Sequence, residues 1–230
     1  MFSYRDTREG DLRLEVAFTD ASLDLQGLRP GFEQSLPALE EACGVRFARM
    51  NQVHGDTVLL VDEPGPAPAD PVPTADALLT TTPGLGLMVR VADCVPVLLA
   101  DPASGVLAAV HAGRAGVALD VVGTTVARMR EAGAGDLLAW VGPHVCGGCY
   151  EVPAVMREEV AAAVPETRAE TTWGTPSLDL GAGVRAQLRA HGVEAVEVDR
   201  CTREDASLHS HRRDGAASGR MAGLVWTVVA

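Results

Sequence analysis

Three short stretches of this chain set a soft metal ligand beside turn residues. They are Asn51–Asp56 (NQVHGD), Ala92–Pro96 (ADCVP) and Ala109–Arg114 (AVHAGR), and they carry His54, Cys94 and His111. Two imidazoles and one thiol fall one short of the four protein ligands of a structural zinc site. A catalytic zinc leaves that fourth position to water or substrate. Such a trio would make an open metal centre, where the ion lowers the pKa of bound water toward about 7. The ligands stand 40 and 17 residues apart, a spacing that no zinc-finger pattern uses. Taken singly, each has an ordinary reading: a Cys between apolar runs is commonly an inert core thiol, and a lone His a satisfied polar group. Zinc is the expected metal for a borderline-soft set, with copper its rival by intrinsic affinity. A metal-free alternative uses the same side chains. Cys94 and His111 would form a thiolate–imidazole pair, with Asp93 or Asn51 orienting the ring.

A second cluster runs from His209 to Gly215 (HSHRRDG) and continues to Gly219 and Arg220. Arginine is planar and bidentate toward phosphate and carboxylate, so Arg212 or Arg213 beside a glycine turn could grip a phosphate oxygen. The alternative is a solvated loop. Cys146-Gly-Gly-Cys149 has the spacing of a redox or zinc motif, but no second such pair completes a four-cysteine site. It reads as structural cysteine, with a disulfide on oxidation.

The elements that must position these groups are short. Residues 11–19 alternate as a half-buried strand. Residues 35–43 read as a helix with Ser35 as cap and Gly44 past its end. Residues 58–61 form a strand, and 63–74 carry five prolines, which makes an extended surface loop. Three Val- and Leu-rich runs, 85–91, 95–100 and 106–110, read as buried strands. Residues 115–132 form one helix stopped by Gly133, and 137–141 a strand. Helices follow from Pro153 to about Val164 and from Asp179 to Ala190, then strands at 193–199 and 222–229. His54, Cys94 and His111 all fall at strand ends. Strands and helices mix without strict alternation, which indicates an α+β fold.

Composition sets further bounds. The chain has 230 residues and is 47% hydrophobic, enough for one domain with a substantial core. A formal charge of −12 argues against nucleic acid as a partner. There is no lysine, which excludes a P-loop lysine, a Schiff-base lysine and a pyridoxal enzyme. The first ten residues are polar, so no secretory signal is expected, and no apolar run approaches the roughly 18 residues that span a bilayer. Five cysteines, an odd number, point to a reducing cytoplasm.

The motifs NQVHGD, ADCVPVLLAD, VHAGRAG, VGPHVCGGCYEV and SHRRDGAASGRMAG, in that order from Asn51 to the C-terminus, make the chain resemble the laccase-domain (YfiH-like) proteins. These were formerly labelled multicopper polyphenol oxidases and are now regarded as purine nucleoside phosphorylases with adenosine deaminase activity. The resemblance implies a single domain over 1–230, a mixed β-sheet sandwich with flanking helices of the type shared with cysteine-dependent toxins. It implies zinc, or copper, on His54, Cys94 and His111, with Cys94, His111 and Asn51 catalytic. Arg212, Arg213 and His144 would bind substrate, and Asp76 would order the shell around the ligands. The substrates implied are phosphate and a purine nucleoside (adenosine, inosine, guanosine or methylthioadenosine), handled by a monomer or homodimer. Two rivals remain: a copper phenol oxidase, disfavoured by only six His, and a metal-stabilised interaction protein without activity.

The chain departs from the family pattern in three places. Phe18-Thr-Asp20 runs straight into Ala21–Leu25 without the family's glycine-rich loop. Arg114 stands where the family commonly has Trp. His209 and His211 replace aromatics before the Arg-Arg pair.

Overall fold

A computed structural model describes the chain except for Asp11, Leu28, Pro30, Val229 and Ala230. Among the described residues the strands form two main sheets. The first contains β1 (Phe2–Arg8), β2 (Arg13–Thr19), β3 (Phe47–Ala48), β6 (Gly86–Val91) and β13 (Met221–Val228), in the order β1-β2-β13-β6-β3. The second contains β4 (Val58–Leu60), β5 (Ala77–Thr80), β7 (Val95–Ala100), β8 (Leu107–Ala112), β9 (Leu138–Val141) and β12 (Glu194–Glu197), in the order β12-β9-β7-β8-β5-β4. A small hairpin joins β10 (Arg168–Glu170) to β11 (Pro176–Leu178).

Period-two alternation explains why the sheets stack. β7 sends Val95, Val97 and Leu99 to one face and Leu98 and Ala100 to the other. The second set meets Val16, Phe18, Leu87, Val89 and Val225 of the first sheet and fills the space between the two sheets. The first set packs under four helices: α2 (Arg114–Ala118), α3 (Val121–Glu131), α4 (Ala154–Ala163) and α5 (Leu180–Ala190). On the outer face of the first sheet, α1 (Phe32–Cys43) buries Phe32, Leu36 and Leu39 against Met88, Leu224 and Trp226. The layers are helix, sheet, sheet, helix, an α+β sandwich. No described helix is long and apolar enough to cross a membrane.

The three Val- and Leu-rich runs are strands, and the second and third pair antiparallel as β7 and β8. The helix expected over 115–132 is two helices. Asp120 adopts a left-handed conformation (φ 59°), and its carboxylate caps α3 by accepting the Gly123 amide. A short acidic side chain tolerates that conformation and restarts the helix where periodicity alone shows one run. α1 starts earlier than expected, with Gly31 rather than Ser35 at its N-cap. The expected strands 11–19 and 222–229 are observed as Arg13–Thr19 and Met221–Val228, with Asp11 and Val229 outside the described residues.

Candidate metal centre and adjoining cavity

The same alternation that builds the core aims the ligands. His111 shares the parity of Leu107 and Ala109 in β8, whose side chains face the other sheet. Cys94 precedes β7 with the parity of Leu98 and packs against the same inter-sheet cluster. Asp76 precedes β5 with the parity of Leu78 and lies opposite His111 in the antiparallel ladder, where the His111 amide donates to its carbonyl at 2.7 Å. All three project into one end of the inter-sheet space.

The third ligand arrives on a loop. His54 has φ 64°, a strained region for a side-chain-bearing residue. The loop is held there by Asp76, whose carboxylate accepts the amides of Val53, His54 and Gly55 at 3.3, 2.9 and 2.6 Å. The same carboxylate lies 2.8 Å from His111 Nδ1. Burial pushes the Asp76 carboxyl up, but the bonds from His111, Gly55 and His54 pull it below its ordinary value. With Nδ1 engaged, His111 turns Nε2 to the centre; a carboxylate on the far ring nitrogen is what orients a histidine that holds a metal.

Cys94 Sγ lies 3.7 Å from His54 Nε2, and the ring centroids of His54 and His111 are 4.7 Å apart. One donor atom from each of the three residues lies within 4.8 Å of the others. Burial raises the Cys94 thiol, but hydrogen bonds and charge from His111 and then His54 outweigh it and leave the group at about 6. Burial lowers His111, but Asp76 and Cys94 bring it up to about 9. A thiolate between two imidazoles is a donor set that fits a borderline-soft divalent ion. Gly113 makes the room: a Cβ there would collide with His54 Cδ2 and sit 3.3 Å from Cys94 Sγ.

The trio opens on a cavity of about 810 Å³ whose walls include Asn51, Arg90, Tyr150, His211, Arg212 and Arg220. Asn51 is pinned by Nδ2 donating to Thr74 Oγ1 at 3.2 Å. The Arg212 guanidinium lies 4.5 Å from the centre of the Tyr150 ring. Arg90 is mostly buried, and burial, then Arg49 and Arg220, lower its pKa to about 10. Arg90, Arg212 and Arg220 pair with no carboxylate among the described residues. The proline loop is also a wall, through residues 68–72. So is the segment after β2, through Gln26 and Gly27.

Other expected site residues fall elsewhere. Arg213 donates to the carbonyls of Thr202, Asp205 and Leu208 and pairs with Asp214, so its guanidinium is spent inside its own loop. His144 is buried outside the cavity, its Nδ1 at 2.8 Å from the Gly142 carbonyl and its Nε2 against Gly181. Asp93 does not orient the imidazole. Its carboxylate accepts the Thr202 hydroxyl and the Arg212 amide, both at 2.6 Å, and Asp76 orients His111 instead. His209 sits against the Leu23 carbonyl at 3.0 Å, away from the trio. Arg90 was missed in the sequence because it interrupts an apolar run that reads as an ordinary buried strand. Its signal was the charge itself, in a strand with no acidic neighbour.

Residues 32–228 match the family model for multi-copper polyphenol oxidoreductase laccase, and the chain belongs to that family. It is 54% identical over 185 residues to a Streptomyces coelicolor protein named purine nucleoside phosphorylase, covering 79% of this chain and 75% of that one. A Mycobacterium tuberculosis protein of the same name is 53% identical over 186 residues, covering 80% and 73%. Among solved structures, YlmD of Geobacillus stearothermophilus superposes with a TM-score of 0.83 at 25% identity, covering 98% of this chain and all of that one. A Neisseria meningitidis protein of family DUF152 gives 0.80 at 26% identity, covering 98% and 99%.

Proposed function

We propose that this chain is a zinc-dependent purine nucleoside phosphorylase that takes adenosine, inosine, guanosine or methylthioadenosine, with adenosine deamination as a second activity. The observation that carries this reading is the cavity. It joins a thiolate–imidazole trio to three arginines that lack acidic partners among the described residues and to a stacked Tyr150–Arg212 face. Relatives at about half identity are named for this reaction.

In phosphorolysis a phosphate oxygen bonds to the ribose anomeric carbon while the bond to the purine nitrogen breaks. The bonding pair leaves with the base, which takes up a proton. Arg212, Arg90 and Arg220 supply the cation face for the phosphate, where charge-assisted bonds are strongest. Asn51 has its Nδ2 on Thr74, which leaves Oδ1 to accept from a ribose hydroxyl or a base amine. The Tyr150 ring offers the base a stacking surface. His54, Cys94 and His111 would hold the zinc, which when bound supplies Lewis-acid polarisation at one open position. Asp76 fixes the His111 tautomer and the His54 loop together.

The test is zinc-loaded protein incubated with adenosine and phosphate, with adenine, ribose 1-phosphate and inosine separated by chromatography. Absence of all three products would sink the reading and leave a metal-stabilised protein without turnover. A copper phenol oxidase is the second reading, motivated by the description of the family model. Copper-dependent oxidation of a phenol, lost in Cys94→Ala, would favour it. Of the two His/Cys-rich groups that gather among the described residues, only His54–Cys94–His111 contains histidine, whereas multicopper oxidation uses several His-rich centres.

A further inference from the structure

Cys146 and Cys149 lie in the turn after β9, and Cys201 and Glu204 in the turn after β12. The two turns are built alike. The amides of Cys149 and Tyr150 donate to the Cys146 carbonyl, both at 3.0 Å, and the amides of Glu204 and Asp205 donate to the Cys201 carbonyl at 3.2 and 3.0 Å. Each turn therefore presents two side chains three positions apart on one side. A parallel bridge between His144 and Cys201, with the Thr202 amide on the His144 carbonyl at 3.0 Å, sets the turns face to face. One donor atom from each of the four residues lies within 4.8 Å of the others. Cys149 Sγ is 3.4 Å from Glu204 Oε1, and the Cys146 amide points at Cys201 Sγ at 3.4 Å.

We propose that Cys146, Cys149, Cys201 and Glu204 form a second metal site, a closed structural site for zinc, separate from the open trio. Four soft and acidic donors from two turns match the ligand number of structural zinc. Donors on a tetrahedron at about 2.3 Å from the ion stand about 3.8 Å apart, so the observed cluster needs only a small contraction. An amide directed at a thiolate sulfur is a typical outer-shell contact. Three thiolates and a carboxylate around a divalent ion leave two negative charges. Arg203 and Arg212 line the small pocket beside Cys149 and Glu204 and bring positive charge next to them. Gly147 is needed for the turn, because a Cβ there would stand 2.8 Å from Asp179 Cβ.

The site has a place in the architecture. Tyr150 follows Cys149 directly, and the segment from Cys201 leads to Arg212, which stacks on Tyr150. An ion joining the two turns would clamp this wall of the cavity. Nothing in the assignment depends on which reaction the cavity performs.

Metal content tests it. Full-length chain is purified under reductant without chelator, and zinc is measured by mass spectrometry. Two equivalents are expected in the wild type and one in the His54→Ala/Cys94→Ala/His111→Ala variant, which keeps the second cluster. Cys146→Ser/Cys149→Ser should retain only the equivalent at the trio. Should that double variant fail to fold, cobalt(II) added to the metal-stripped triple variant gives an independent readout. Thiolate-to-cobalt charge transfer together with tetrahedral d–d bands supports the proposal. A triple variant that binds neither zinc nor cobalt overturns it. So does a disulfide among Cys146, Cys149 and Cys201 in the protein isolated under reductant.

Discussion

Asp76 faces His111 across the β5–β8 ladder and binds its ring at 2.8 Å, while the same carboxylate gathers the amides of the loop that carries His54. One buried side chain thus orients two of the three donors. Asp76→Asn keeps the shape but turns an amide group toward either the imidazole or the backbone amides, where only acceptors fit. Zinc affinity should fall about 10- to 100-fold, the usual cost of losing the carboxylate that orients a metal-bound histidine. Competition with a chelator of known affinity measures it, and unchanged affinity would show that Asp76 is only a fold-supporting group.

Gly113→Ala should damage the candidate metal centre from the other side. The added methyl collides with His54 and crowds Cys94. Gly113 has φ −79°, so alanine suits the backbone and the effect is steric at the donors. Expected are a folded protein by circular dichroism, at least about tenfold weaker zinc binding (the low end of the range for losing a group that orients a ligand) and a comparable loss of turnover. Normal zinc binding would mean that His54 moves aside freely and contributes little.

The two adjacent arginines should separate cleanly. Arg212 faces the cavity, so Arg212→Ala should raise the phosphate KM. Losing a charge-assisted contact costs roughly 1.5–3 kcal/mol, or about ten- to a hundredfold. Arg213 spends its donors on three carbonyls and Asp214. Arg213→Ala should therefore lower thermal stability more than it changes phosphate dependence. Deamination consumes water and not phosphate, so Arg212→Ala should spare it relative to phosphorolysis. Equal effects of both variants on phosphate KM would refute the assignment.

The convergence of His54, Cys94 and His111 was readable because each motif ends or begins a buried strand, and β-strand parity gives His111 and Cys94 a common face. Asp76 was readable as a partner only through the resemblance, since nothing local reports that it faces His111. The pairing of Cys201 with the Cys146–Cys149 turn was not readable at all. It depends on a bridge between segments 57 residues apart in sequence, from His144 to Cys201. β1 was also missed. It is the edge of its sheet, and its side chains are partly or fully exposed, so no apolar alternation marks it. The split between α2 and α3 escaped because Asp120 ends one helix and caps the next within an unbroken apolar period.

The proposed phosphate site makes a prediction that needs no nucleoside. Burial first, and then repulsion from Arg49 and Arg220, hold the Arg90 pKa near 10, below its ordinary value. Because the folded value is depressed, the unfolded chain holds that proton more tightly. Keeping Arg90 charged therefore costs stability at neutral pH, and the cost disappears only as pH rises through about 10 toward the ordinary arginine range. An anion bound between these groups offsets the repulsion, so phosphate alone should raise the Tm at pH 7. At a hundredfold excess over Kd the gain is about 2.7 kcal/mol, and at about 2–4 °C per kcal/mol for a domain of this size the shift is roughly 5–10 °C. Sulfate should reproduce the shift and chloride at equal ionic strength should not. Arg220→Gln and Arg212→Ala should each reduce it, while Arg213→Ala should lower the starting Tm and leave the increment. A phosphate increment that survives both cavity variants would place the anion elsewhere, and the Arg90–Arg212–Arg220 face would then be a wall without a ligand.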